Sequence, residues 1–120
     1  MCSSALRPFL VLLLATAAWG CADADPVVEA CSVVAPNECL EPELRYASVA
    51  PIFESYCASC HTGRGSEPWP LDDYDSVADW ADLLREELAS CSMPPPGSSI
   101  PLGNRDRARI LNWLRCGLPE

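Results

Sequence analysis

The chain has 120 residues, with 17 Asp and Glu against 8 Arg and no Lys, and its formal net charge is −9 at pH 7. A chain of this length builds one small domain. The charge excludes nucleic acid as a partner, because binding nucleic acid requires a clustered basic surface.

The amino-terminal residues 1–20 have the pattern of a secretory signal peptide. Arg7 precedes an apolar run at residues 9–20, which is too short for a transmembrane helix of about 20 apolar residues. The Gly before Cys21 resembles the end of the lipobox of bacterial lipoproteins and predicts lipidation of Cys21, with ordinary cleavage near residues 15–17 as the alternative. Both alternatives predict export to the bacterial periplasm or to an envelope membrane.

Residues 21–45 are acidic and are interrupted by prolines such as Pro26 and Pro42. They show no sustained apolar period. We therefore predict a tether, pinned by a small disulfide loop, which spaces a folded domain at residues 46–120 from the membrane.

A helical face begins near Ser48. Apolar side chains follow Val49 at spacings of 3, 4, 7, 8 and 11 residues, which is one face of an α-helix. The face consists of Val49, Ile52, Phe53, Tyr56, Cys57 and Cys60. Pro51 is compatible with this helix if it lies in the first turn.

The end of this predicted helix carries Cys57-Ala58-Ser59-Cys60-His61, the C-x-x-C-H pattern that attaches a c-type haem. Cys57 and Cys60 are three residues apart and so share a helix face, where both thiols can add to vinyl groups on one edge of a porphyrin. His61 follows as the proximal iron ligand. The motif predicts one covalently bound haem c.

Two other chemistries use a C-x-x-C pair. A thioredoxin-like dithiol needs a surrounding βαβ pattern, and the sequence near residue 57 does not alternate like a strand. A zinc site would recruit two more of the remaining cysteines, whereas structural zinc sites usually have two closely spaced ligand pairs. Haem attachment is favoured over both.

A second amphipathic helix of about 17 residues follows a turn-rich loop at residues 62–70. Asp72 is its predicted N-cap, and Asp73 lies in the first turn, where the helix dipole favours negative charge. Trp69, in the loop, either packs on the haem edge or half-covers the surface. The predicted buried face is Tyr74, Val77, Ala78, Ala81, Leu84 and Leu88, with Asp75, Asp79, Asp82 and Glu86 opposite.

Met93 is the only methionine beyond the predicted signal peptide, and it lies in the Pro-rich loop at residues 92–97. The prolines fix φ and reduce the freedom of the loop. A thioether held in this way predicts the distal iron ligand of His/Met ligation, which raises the potential of a haem. The alternative is a methionine that fills a gap in the core.

The third predicted helix starts near Asn104, a capping residue, and stops at Gly117 before Pro119. We expect Trp113 to lie in the core rather than to relay electrons. The predicted buried residues are Ala108, Ile110, Leu111, Trp113 and Leu114.

An oxidising compartment predicts disulfides among the four cysteines that neither haem nor lipid takes. Four cysteines allow three connectivities. We predict Cys31 with Cys39, which closes a short local loop, and Cys91 with Cys116, which joins the segment after one helix to the end of the last. Free buried thiols are the alternative.

Residues 46–120 resemble small class I cytochrome c domains of exported bacterial proteins. The resemblance rests on the C-x-x-C-H motif at residues 57–61, on Met93-Pro94-Pro95-Pro96, and on Asn112-Trp113-Leu114 in the last helix. It implies an all-α, small cytochrome c-like fold of about three helices around one haem. The first and last helices would pack across each other, with the haem in an apolar crevice that leaves one edge exposed.

The resemblance also implies a role for four residues. Cys57 and Cys60 would be the thioether attachment points, His61 the proximal ligand and Met93 the distal ligand. With both axial positions filled, the implied function is electron transfer rather than catalysis. The acidic composition is compatible with a redox partner protein that has a basic docking surface, although a merely solvated acidic surface has the same composition.

The alternative function is a haem-based peroxidase-like enzyme or gas sensor with an open distal site. The single His of the chain and the lack of a distal acid–base constellation weigh against it. A third alternative is a haem-bearing subunit of a larger oxidoreductase, which the sequence does not distinguish from a free carrier.

Overall fold

The computed structural model describes residues 29–62 and 69–120, so the predicted signal peptide and Cys21 lie outside the described residues. The helix α4 packs against α1 and α3, and α2 packs against α3. No helix in these ranges is long and apolar enough to cross a membrane. The described residues contain four helices and no strand, which confirms the all-α prediction for them: α1 (Tyr46–Tyr56), α2 (Tyr74–Asp79), α3 (Ala81–Ala89) and α4 (Asn104–Arg115).

The helix α1 buries the face that the spacing predicts, but it begins earlier. Val49, Ile52 and Phe53 are at most 8% exposed. Because the helix starts at Tyr46, Pro51 lies in its interior, and the expectation that it lies in the first turn is wrong. Pro51 removes one intrahelical hydrogen-bond donor, and it lies on the exposed side of the helix.

The single long helix predicted after residue 71 is two helices in the structure. Trp80 separates α2 from α3 with φ −106° and ψ 13°, outside the helical region. Its ring packs edge-on against Trp69, with 6.0 Å between the ring centroids. The apolar face nevertheless continues across the break, because the buried residues of the two helices are Val77, Ala81, Leu84 and Leu88.

Asp73, rather than the predicted Asp72, caps the amino end of α2. Its carboxylate accepts a hydrogen bond from the backbone amide of Ser76 at 2.8 Å. This bond lowers the pKa of Asp73. The true cap is therefore one residue later, where the side chain reaches the free amide of the first turn.

We expect the contribution of Asp73 to the stability of the fold to depend on pH. Because folding lowers the pKa of Asp73, the contribution is complete above the unfolded-state pKa of about 3.9. It is lost as the pH falls through the lower, folded-state pKa. Asn keeps the capping acceptor without the charge. Asp73→Asn should therefore have a lower free energy of unfolding than wild type at pH 7, and this difference should narrow below about pH 3. Urea unfolding at both pH values measures the difference. A difference that does not change with pH would contradict the prediction.

The helix α4 supplies the inner wall of the domain. Its first residue is Asn104 and its N-cap is Gly103. The predicted stop at Gly117 is confirmed, because Gly117 has a positive φ of 86°, a conformation that suits glycine after a helix end. Ala108 is exposed, so its predicted burial is wrong. The residues of α4 at 1% exposure or less are Ile110, Leu111, Trp113 and Leu114.

Trp113 lies at the centre of an aromatic cluster. The side chain is fully buried, and its ring centroid is 5.7 Å from Tyr46, 6.1 Å from Phe53 and 6.3 Å from Tyr74. The indole Nε1 donates to the carbonyl of Pro119 at 2.9 Å, so its polar atom is satisfied. Trp113 is therefore a core residue, as predicted, and it joins α1 and α2 to α4.

Residues 29–44 lie along α4. At the start of the helix, the side-chain oxygen of Asn104 accepts from the amide of Ser32 at 2.8 Å. Eight residues further along, the side-chain oxygen of Asn112 accepts from the amide of Leu40 at 2.9 Å. The two asparagines therefore hold the segment parallel to the helix.

This path determines the disulfides, which are Cys31–Cys91 and Cys39–Cys116. The predicted pairs, and with them the local disulfide loop, are wrong. Eight helical residues span about 12 Å, whereas the Cα atoms of a disulfide lie within about 7 Å. Cys31 and Cys39 therefore lie near opposite ends of α4, out of reach of each other. Paired cysteines are typical of an oxidising compartment.

Candidate cofactor-binding cleft

An open cleft lies between the carboxyl end of α1, the helix α3 and the loop before α4. Its empty space, counting the part continuous with solvent, is about 880 Å³. The cleft brings together all four residues predicted to hold a haem, Cys57, Cys60, His61 and Met93, although the sequence places Met93 far from the motif. The rest of the wall is mainly apolar and includes Tyr56, Leu71, Leu83, Leu84, Leu88 and Ile100.

The C-x-x-C-H motif forms a tight turn directly after α1. The amide of Cys57 donates to the carbonyl of Phe53 at 2.9 Å, which continues the helical pattern by one residue. The amides of Cys60 and His61 then both donate to the carbonyl of Cys57, at 3.1 and 2.9 Å. Because the helix ends at Tyr56, the expectation that both thiols lie on one face of a helix is wrong, and the turn brings them to the cleft instead.

Cys57 and Cys60 are the two free cysteines among the described residues. Cys57 is 8% exposed and Cys60 is exposed. Burial raises the pKa of the Cys57 thiol to about 11, so this thiol is protonated at neutral pH. A dithiol redox centre works in the opposite way, because it lowers a thiol pKa to make a reactive thiolate.

His61 is oriented by hydrogen bonds to the far side of the loop that follows it. Its Nδ1 lies 2.9 Å from the carbonyl oxygen of Trp69. A carbonyl only accepts, so Nδ1 carries the proton, and the lone pair of Nε2 is left as the ligand atom. The backbone carbonyl of His61 also accepts from the amide of Leu71 at 2.7 Å. The two bonds fix both the tautomer and the position of the residue.

Met93 begins the Pro-rich loop and is half-buried at the cleft. Its amide and that of Ser92 donate to the carbonyl of Glu87 in α3, at 3.2 and 3.0 Å. Its own carbonyl accepts from Nη1 of Arg107 at 2.5 Å. The backbone of Met93 is therefore held from two helices.

Trp69 and Trp80 form one edge of the cleft. Trp69 is half-buried and Trp80 is 37% exposed, and their rings make the edge-on contact described above. Trp69 is half-buried at the cleft, a position that fits both placements considered for it, on the haem edge and half-covering the surface. The loop residues 63–68, which precede Trp69, lie outside the described residues.

The structure weighs against the two other uses of a C-x-x-C pair. The cysteines that a zinc site would recruit are all paired in disulfides. Within residues 29–62 and 69–120, no cluster of three or more His, Cys, Asp or Glu side chains could hold a metal ion. The same ranges contain no strand, and a thioredoxin-like site requires a βαβ unit.

One residue near the cleft, Arg107, was not among the predicted site residues. It is 3% exposed, and it contacts the carbonyl of Met93. The signal that could have found it is helical spacing, because Arg107 precedes Leu111 by four residues and Leu114 by seven, which places it on the buried face of α4. A charged residue on an apolar face indicates a specific role for the charge or its hydrogen bonds.

No family model matches the chain, and no curated protein or solved structure matches it significantly.

Proposed function

We propose that this protein is a monohaem c-type cytochrome, an exported electron carrier with His61/Met93 axial ligation and no catalytic role. The observation that carries the proposal is the convergence of Cys57, Cys60, His61 and Met93 on one apolar cleft. A C-x-x-C-H motif alone predicts haem attachment. A methionine from a distant loop at the same cleft adds the second axial ligand of an electron-transfer haem.

The residues of the cleft fit the chemistry of a covalent haem. Each thiol would add across one vinyl group, so that sulfur bonds to one vinyl carbon and the thiol hydrogen goes to the other, with no oxidant consumed. Nε2 of His61 and the thioether of Met93 would supply the nitrogen and sulfur ligands that suit a low-spin haem. The apolar wall would limit the access of water to those ligands. Bound haem c supplies reversible one-electron chemistry.

Pairing of the other described cysteines supports the same proposal. Cys31, Cys39, Cys91 and Cys116 are in disulfides, and this leaves the two motif thiols free. Disulfides also support export to an oxidising compartment. The proposal places the protein in the bacterial periplasm or on an envelope membrane, anchored through lipidated Cys21.

Exposed acidic residues support a basic redox partner protein. Trp80 is exposed at the cleft edge, and α2, α3 and the two residues before α2 carry exposed carboxylates. Such a surface attracts a positively charged partner and raises the rate of encounter. The exposed acidic residues are Asp72, Asp73, Asp75, Asp79, Asp82 and Glu86.

Optical spectra of the mature protein, produced with a cytochrome c maturation system, test the proposal. We expect covalent low-spin haem, with the far-red band of Met-ligated ferric haem in the oxidised protein. A high-spin spectrum that shifts with carbon monoxide or peroxide would instead favour the enzyme or gas sensor. Protein without bound haem would overturn the proposal.

Met93→Ala should remove the distal ligand without removing the haem. We expect the far-red band to disappear and the reduction potential to fall by on the order of 100 mV, within the ~0.8 V range that axial ligands cover. The loss of the thioether leaves a position that exogenous imidazole can occupy. Spectroscopy and potentiometry measure both changes.

Pro96→Ala is the matched control for Met93→Ala. Pro96 lies in the same loop and is exposed, so its replacement changes the loop without touching the cleft. The control should keep the band and the potential of wild type. If Met93→Ala behaves like Pro96→Ala, Met93 is not the ligand.

A further inference from the structure

Arg107 is a buried cation that forms no ion pair with any carboxylate of residues 29–62 and 69–120. It is 3% exposed on the inner face of α4. The ion pairs among the described residues involve Arg45 and Arg85, both with their own acidic neighbours. A buried charge is costly unless it is paired or fully hydrogen-bonded. The buried position of Arg107 therefore requires interactions that offset the cost of burying its charge.

The hydrogen bonds of Arg107 connect two segments of the cleft wall. Nη1 donates to the carbonyl of Leu88 at 3.1 Å and to the carbonyl of Met93 at 2.5 Å. Leu88 is in the last turn of α3, where the helix dipole favours a cation, and its carbonyl also accepts from the amide of Cys91 at 3.3 Å. One guanidinium therefore joins the end of α3 to Met93 in the Pro-rich loop.

The charge of Arg107 also affects Cys57. It partly opposes the rise that burial causes in the pKa of the Cys57 thiol. The contact that places Arg107 at the site is its hydrogen bond to Met93, the residue proposed to ligate the iron. Arg107 is not among the residues that line the cleft, so it acts from behind the wall.

We propose that Arg107 is a positioning residue for Met93, which it holds by the backbone so that the thioether stays at the cleft, and that its charge raises the reduction potential of the site. This inference rests on the proposed function. A fixed positive charge near the iron disfavours the oxidised form, because that form carries one more positive charge than the reduced form. The guanidinium suits both tasks, since it is permanently charged and presents several donors in a rigid fork.

Arg107→Met tests both parts in the haem-loaded protein, because Met has a similar length but neither charge nor donors. We expect a weaker far-red band, a lower reduction potential and tighter binding of exogenous imidazole. The imidazole affinity should rise about tenfold, because charge-assisted hydrogen bonds to the Pro-rich loop are lost. Arg105→Met is the matched control: it lies on the same helix, is exposed, and removes the same charge. The control should leave all three properties near those of wild type.

Arg107→Lys separates position from charge. Lys keeps the charge but loses the planar fork, so the potential should lie closer to wild type than that of Arg107→Met, while imidazole binding remains tightened. If Arg107→Met and Arg105→Met have the same band and imidazole affinities within about twofold, Arg107 does not position Met93. If the bands differ but the potentials agree, the charge has no part in setting the potential.

Amide hydrogen exchange in the haem-free protein keeps the inference testable if Arg107→Met does not fold. The amides of Ser92 and Met93 are bonded to Glu87, so Arg107→Lys should speed their exchange about tenfold relative to amides within α1. Unchanged exchange would refute the positioning role. Hydrogen exchange does not need haem, so it tests the positioning role of Arg107 by itself. The optical spectrum of the wild-type protein tests the proposed function separately.

Discussion

Replacing Cys57 and Cys60 together with alanine should abolish covalent haem attachment and leave the helical domain folded. They are the two cysteines of the described residues that no disulfide uses, so no other described thiol can substitute for them. After denaturation and acidified organic extraction, wild-type chain should retain its haem, and the double variant should release all of it. Mass spectrometry and haem staining of denaturing gels measure the difference directly.

The single variants should differ in stability as well as in haem content. Cys57 is buried in the core and Cys60 is exposed, so Cys57→Ala removes packing that Cys60→Ala does not. Each single variant should keep one thioether. Full retention of haem by the double variant after extraction would show that attachment does not use this motif.

The variant Cys31→Ala/Cys91→Ala is the control for a general effect of losing two cysteines. It removes as many sulfur atoms but leaves the motif and both proposed ligands in place. We expect it to carry covalent haem when produced under conditions in which it folds. If the folded control also lacks haem, the loss in the first variant is not specific to the motif cysteines.

Removing either disulfide should lower the free energy of unfolding of the haem-free protein by about 2–5 kcal/mol. The bridges join residues 60 and 77 positions apart, so each restricts a large part of the unfolded chain. A small domain has a total stability of about 5–15 kcal/mol. The expected loss is therefore a substantial share of the total free energy of unfolding.

Urea unfolding of Cys31→Ala/Cys91→Ala and of Cys39→Ala/Cys116→Ala measures the two contributions separately. Both partners are replaced in each variant, so that no free thiol remains to pair wrongly. Wild-type protein treated with reductant should lose at least as much stability as either variant. A loss below about 0.5 kcal/mol in both variants would show that the bridges do not constrain the folded domain.

Local periodicity predicted most of the buried residues of the helices, with Ala108 as an exception. Ile52, Val77, Leu84 and Leu111 all lie on faces that the spacing of apolar residues identifies. The C-x-x-C-H motif and Met93 were also recognisable from residue type and surroundings, and the fold places them on one cleft. Each of these predictions uses information within a few residues of the position concerned.

The features that sequence reasoning missed depend on contacts between distant segments. The disulfide pairing follows from the path of residues 29–44 along α4, which two asparagine side chains determine. The break at Trp80 accompanies a ring contact with Trp69 across a loop. The spacing of Arg107 from Leu111 and Leu114 could have indicated its burial, but its hydrogen bonds to Leu88 and Met93 are contacts with other segments of the chain.

The two disulfides also bear on the order in which the domain can be assembled. Each joins a cysteine that precedes residues 57–61 to one that follows them. In a chain that crosses a membrane amino end first, the C-x-x-C-H motif emerges before Cys91 and Cys116 do. Neither native bridge can close until then. Oxidation at this stage could therefore form only non-native disulfides. If the motif binds haem as proposed, attachment of haem before the bridges close would remove Cys57 and Cys60 from the thiols available for such non-native pairing.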